Sequence, residues 1–123
     1  MDLGNFSVCL KVADLDRSLA FYRSLGFEPI SGDADAGWLV LRNGPARIGL
    51  FQGVLEANVL TFNPGWDTEA RPVEEFDDVR AIQAHLQEAG LALTTTADPA
   101  TSGPAHITLT DPDGNQILID QHR

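Results

Sequence analysis

Apolar and polar residues alternate over residues 6–12, Phe-Ser-Val-Cys-Leu-Lys-Val, which predicts a strand with Phe6, Val8, Leu10 and Val12 on one face. Asp14 then stands where a helix cap belongs. Leu15, Leu19 and Tyr22 follow at helical spacing, and Gly26 marks the stop. A strand is expected near 27–32. The alternating runs 38–42 and 46–51 flank Asn43-Gly44-Pro45, the signal of a hairpin. The second half repeats this order. Residues 58–62 read as a strand. A helix after Phe76-Asp77-Asp78 places Val79, Ile82, Leu86 and Ala89 on one face and ends at Gly90. A strand over about 91–96 is expected next. The runs 106–110 and 116–120 then form a second hairpin around Asp111-Pro-Asp-Gly-Asn115. The chain therefore reads as one domain, 1–123, built from a duplicated unit, with module one over about 6–52 and module two over about 57–122.

One element breaks the symmetry. The first strand reaches its helix through Ala13 alone, whereas the second uses residues 63–76, with two prolines, Trp66, and acids at 67, 69, 74 and 75. So long a connection in a small domain reads either as a functional loop over 64–76 or as a Pro-rich crossover with Trp66 pinned to the core. Acids ahead of a helix complement its dipole, so the charge run needs no further role.

Strand alternation separates two faces. One is wholly apolar, from Val8, Leu10 and Val12 through Leu39, Leu41, Ile48 and Leu50 to Leu60, Phe62, Ile107, Leu109, Ile117 and Ile119, and the two helices must cover it. The other mixes rings, hydroxyls, two histidines, an acid and cations. On it lie Ser7, Cys9, Trp38, Val40, Arg47, Gly49, Phe51 and Val59 from the first half. Thr61, His106, Thr108, Leu118, Asp120 and His122 come from the second, with Trp66 from the loop beside it. An apolar wall with a few polar groups is the composition of a ligand cavity.

Composition narrows the partners. Eighteen acids against eight Lys and Arg give a net charge of −10, which disfavours nucleic acid and anionic membranes. No apolar run is long enough to span a bilayer, and the first residues lack the parts of a signal peptide. A single cysteine, Cys9, excludes an internal disulfide and Cys-based metal sites and fits a reducing compartment, so the expected location is cytoplasmic. There is no Gly-rich phosphate loop, GxSxG or HExxH. His85 falls on the polar side of the second helix.

The segment Val12-Ala-Asp-Leu-Asp-Arg-Ser-Leu-Ala-Phe-Tyr-Arg-Ser-Leu-Gly-Phe27 and the closing Asp111-Pro-Asp-Gly-Asn-Gln-Ile-Leu-Ile-Asp120 resemble the vicinal oxygen chelate superfamily. This is the group of glyoxalase I, bleomycin-resistance proteins and extradiol dioxygenases. Within it the chain is most similar to small glyoxalase-like proteins with an Asn-Pro-Gly-Trp-Asp loop. The resemblance implies an α+β fold: two βαβββ modules forming an open, curled mixed β-sheet barrel around one cavity. It also implies a homodimer.

Metal-dependent members carry His or Glu at four strand positions. Counted from the shared motifs, these fall on Ser7, Gly49, Val59 (or its neighbour Asn58) and Leu118, none a normal ligand. The expectation is therefore no metal and no cofactor, and two functions stay open. One is a metal-free small-molecule-binding protein of the glyoxalase/bleomycin-resistance type, with the ligand held against Trp38 and Phe51. The other is a glyoxalase-like lyase or isomerase using a relocated metal, or metal-free acid–base chemistry, at His106, Asp120 and His122. No catalytic residue is assigned, and the ligand is unidentified.

Overall fold

The computed structural model describes residues 1–123. Seven strands and two α-helices follow in the order β1 (Asn5–Val12), α1 (Leu15–Ser24), β2 (Glu28–Asp33), β3 (Trp38–Asn43), β4 (Ala46–Gln52), β5 (Val59–Asn63), α2 (Val79–Glu88), β6 (Ala105–Thr110) and β7 (Gln116–Gln121). A 3-10 turn over Ala34–Ala36 precedes β3. The fold is α+β, with parallel and antiparallel pairing mixed. Two compact units divide the chain, Ser7–Val59 and Met1–Phe6 with Leu60–Arg123.

In the unit Ser7–Val59 the strand order is β2-β3-β4-β1. β1 runs parallel to β4, with Val8 opposite Ile48 and Leu10 opposite Leu50, and β3 is antiparallel to β4. The Asp14 side chain accepts from the Arg17 N–H and so caps α1. Leu15, Leu19 and Tyr22 then pack on Leu39, Leu41, Ile48 and Leu50, with Leu41 and Leu50 fully buried. Alternation thus delivers the apolar face to the helix, as the sequence pattern requires.

In the other unit β5 neighbours β7, and β7 pairs antiparallel with β6. Asp78 caps α2, whose Val79, Ile82 and Leu86 pack on Ile107, Leu109 and Ile119. Gln121, almost wholly buried, accepts from the Val79 N–H (2.7 Å) and donates to Asp78 and to the carbonyls of Gly103 and Arg123. Gly4, at φ +82°, lets the N-terminal segment cross Asn63 closely, since a Cβ there would lie 2.0 Å from the Asn63 carbonyl oxygen.

The expected strand over 91–96 does not form. Its residue Thr95 makes an isolated bridge to Thr108, and nothing regular extends it. Just beyond the segment, at Ala97, pairing cannot continue. Both its backbone groups are taken by the Gln83 side chain, which accepts at 2.7 Å and donates at 2.9 Å, so they are not available to a ladder. Neither helix is long and apolar enough to cross a membrane.

Candidate functional site

Register fixes one group of the expected site residues within Ser7–Val59. Cys9 lies opposite Gly49, Gly49 opposite Val40, and Trp38 opposite Phe51. With Ser7 and Arg47, they occupy the parity opposite to the residues that α1 covers. Trp38 and Phe51 stack, ring centroids 6.0 Å apart and planes 10° apart. A Cβ on Gly49 would lie 2.8 Å from the Phe51 ring and 3.3 Å from the Cys9 sulfur. Only glycine therefore lets the ring settle there. Arg47 is buried, and Ser7, Cys9, Val40 and Val59 are half-buried.

The second group lies in the other unit. Thr108 faces Leu118 across the β6–β7 ladder and His106 faces Asp120, while Thr61 is buried on β5. His122, just past β7, places Nε2 3.3 Å from the Asp120 carboxylate. Its ring stacks on Trp66, centroids 4.6 Å apart and planes 4° apart. The Asp120 carbonyl accepts from Asn63, which in turn accepts from the buried Asn5. Arg123 donates to the carbonyls of Gly65 and Val73 and lies over the Phe76 ring, 5.0 Å from its centre. The loop 64–76 is thus tied down at Trp66 and at Arg123. Asn5, Asn63, Phe76 and Arg123 escaped the sequence reading. Of these only Asn63 carried a signal, its place at the head of Asn-Pro-Gly-Trp-Asp. His85 is exposed on α2.

The donor sets decide what a metal would meet. At Ser7, Gly49, Val59 and Leu118 the chain offers one hydroxyl, a hydrogen and two alkyl groups, and the Phe51 ring occupies the space where a side chain at 49 would begin. These residues do not fit the transition-metal site of the resembling family, which needs imidazole or carboxylate. A relocated site would have to draw on His106, Asp120 and His122. Asp120 is drawn to His122, and no group of three or more His, Cys, Asp or Glu side chains is arranged to hold an ion. A His–Asp pair with a stacked ring can still position and move a proton.

Similarity to solved structures runs along the whole chain. A glyoxalase/bleomycin resistance protein/dioxygenase superfamily member from Vibrio splendidus 12B01 is 18% identical with a TM-score of 0.64, covering 95% of this chain and 97% of its own. An NAD-dependent benzaldehyde dehydrogenase from Legionella pneumophila is 17% identical at TM-score 0.68, with 96% and 99% covered. Methylmalonyl-CoA epimerase from Mycobacterium tuberculosis is 19% identical at 0.63, with 97% and 88% covered. At these identities the likeness is one of fold. No curated protein matches the sequence. The family model for the Glyoxalase/Bleomycin resistance protein/Dioxygenase superfamily matches residues 6–119, and the chain belongs to that superfamily.

Proposed function

We propose that this chain is a metal-free small-molecule-binding protein, of the kind that bleomycin-resistance proteins represent in the superfamily. The ligand rests on the sheet face of Ser7–Val59 that carries Trp38 and Phe51. The observation that carries this reading is the pair itself. Two parallel rings stand on the face turned away from α1, and the position where a relative would place a metal ligand is a glycine covered by one of them. A flat apolar body stacks on such a surface. Charge and polar groups set orientation, and the net charge of −10 favours a neutral or cationic ligand.

The test uses the Trp66→Phe variant, in which Trp38 is the single tryptophan. Neutral and cationic planar aromatics should quench its fluorescence saturably, anionic ones more weakly, and elemental analysis should find no stoichiometric zinc, nickel, manganese or iron. Absence of saturable quenching, or about one metal per chain, rejects the reading.

A second reading is favoured by the Asp120–His122 pair: metal-free acid–base chemistry, with the carboxylate orienting the imidazole and Trp66 holding its plane. It requires turnover that His122→Gln abolishes.

A further inference from the structure

The ligand face of the unit Ser7–Val59 is ordered in rows across its strands. Register sets Lys11 opposite Phe51, Phe51 opposite Trp38, and Trp38 opposite Asp33. Residues paired in register project to the same side of a sheet. This row therefore has a cation at one end, two rings in the middle and a carboxylate at the other end. The next row along the strands is Cys9, Gly49, Val40 and Ser31, and it carries no acid or base of opposite sign. Strands stand about 4.8 Å apart, which puts the Lys11 and Asp33 backbones about 14 Å from each other across the rings.

The backbone is held at both ends of the charged row. The Lys11 N–H donates to the Asn58 side chain (2.9 Å), and one Asp33 carboxylate oxygen accepts from the Asp35 N–H (3.0 Å), capping the 3-10 turn. Neither side chain is in an ion pair, whereas Arg23 and Arg80 are matched to Glu28 and Asp78. Lys11 and Asp33 are exposed, and the two rings between them are half-buried. A second acid, Asp35, follows in the 3-10 turn beside Asp33. Two other cations of this face, Arg42 and Arg47, stand opposite each other two rows away, about 13 Å along the strands from Trp38 and Phe51. Arg47 is buried, and Arg42 Nε donates to the Gly44 carbonyl (2.9 Å). The charges in the row of the rings are thus those of Lys11 and Asp33.

A flat ligand lying on the rings along this row meets opposite charges at its two ends. An anion gains at Lys11 and loses at Asp33, a cation does the reverse, and a dipolar ion gains at both. A ligand of zero net charge also escapes repulsion by a chain of net charge −10. Resting on the reading that Trp38 and Phe51 carry the ligand, we propose that this ligand is a zwitterionic aromatic. Its carboxylate is held toward Lys11 and its ammonium toward Asp33, so the row also sets which way round it lies.

The test titrates four probes of one skeleton and follows backbone amide shifts. They are para-aminomethylphenylacetate (a zwitterion), para-tolylacetate (an anion), para-methylbenzylamine (a cation) and para-methylbenzyl alcohol (neutral). The zwitterion should shift β3 and β4 saturably and bind at least about threefold more tightly than each of the others, and added salt should reduce that advantage. Lys11→Gln should remove its advantage over the cationic probe. Asp33→Asn, which keeps an acceptor for the Asp35 N–H, should remove its advantage over the anionic one. The neutral probe should bind these two variants as it binds the parent and should weaken in Trp38→Ala, which checks the ligand face apart from its charges. Neutral binding that depends on Trp38, with no preference for the zwitterion, overturns this inference and leaves the ligand face standing. An anionic probe that binds more tightly than the zwitterion assigns the charge contact to Arg42 and Arg47 and also overturns it. No shift of β3 or β4 with any probe overturns both.

Discussion

The imidazole of His122 lies face to face with the indole of Trp66, their centroids 4.6 Å apart and their planes 4° apart. The contact joins the end of the chain to the long loop that breaks its internal symmetry. Arg123 reinforces it through the carbonyls of Gly65 and Val73 and the Phe76 ring. His122→Ala with Arg123→Ala should therefore speed amide exchange over residues 65–76 and lower stability by about 1–2 kcal/mol, with the two helices unchanged. Exchange rates identical to those of the parent would mean that the loop holds itself.

Gly49 predicts a packing effect that can be seen spectroscopically. A Cβ there meets the Phe51 ring at 2.8 Å, so Gly49→Ala must push the ring off Trp38. The expected cost is about 1–3 kcal/mol, with a change in near-ultraviolet dichroism from Trp38. Gly49→Ala/Phe51→Leu should recover much of the stability, because the smaller side chain gives the methyl room. A single variant as stable as the parent, with its tryptophan signal intact, would contradict this packing.

The ligand face itself is tested at Trp38. Trp38→Ala should weaken binding of a planar aromatic by about 1–3 kcal/mol while the fold persists, since the indole is only half-buried and lies outside the core beneath α1. Titration calorimetry on the variant provides the check, and unchanged affinity would remove Trp38 from the site.

Acid should act through Asp78. Burial works against its ionised form, but the Arg80 N–H, the Gln121 amide and the Arg80 guanidinium outweigh it and hold its pKa below the ordinary 3.8. A carboxyl with a lowered pKa in the folded state stabilises above its unfolded value and loses that contribution as pH falls through the folded one. The stability gap between the parent and Asp78→Asn should therefore be constant near neutrality and shrink below about pH 4. Denaturant midpoints measured from pH 7 to pH 2.5 read it directly, and a gap that widened in acid would reverse the sign.

Gln83→Ala should cost about 2–4 kcal/mol, because it leaves the N–H and the carbonyl of buried Ala97 without their partner. Thermal unfolding measures the loss. A change under about 0.5 kcal/mol would mean that water replaces the amide there.

Much of this was legible in the chain, because it depends on near neighbours. Asp14 and Asp78 cap the helices they precede, Asn43-Gly44-Pro45 and Asp111–Asn115 turn the two hairpins, and alternation sends Leu41, Leu50, Ile107 and Ile119 to the helices. The same parity places Trp38 beside Phe51. These outcomes follow from backbone geometry with periods of two and 3.6 residues, which a linear sequence records. Contacts between distant positions were decided only by the folded chain. Gln83 reaching Ala97, Gln121 closing over Asp78 and Val79, and His122 settling on Trp66 each depend on where a side chain ends in space. Pairing beyond the Thr95–Thr108 bridge is closed for the same reason, since one distant amide takes both backbone groups of Ala97.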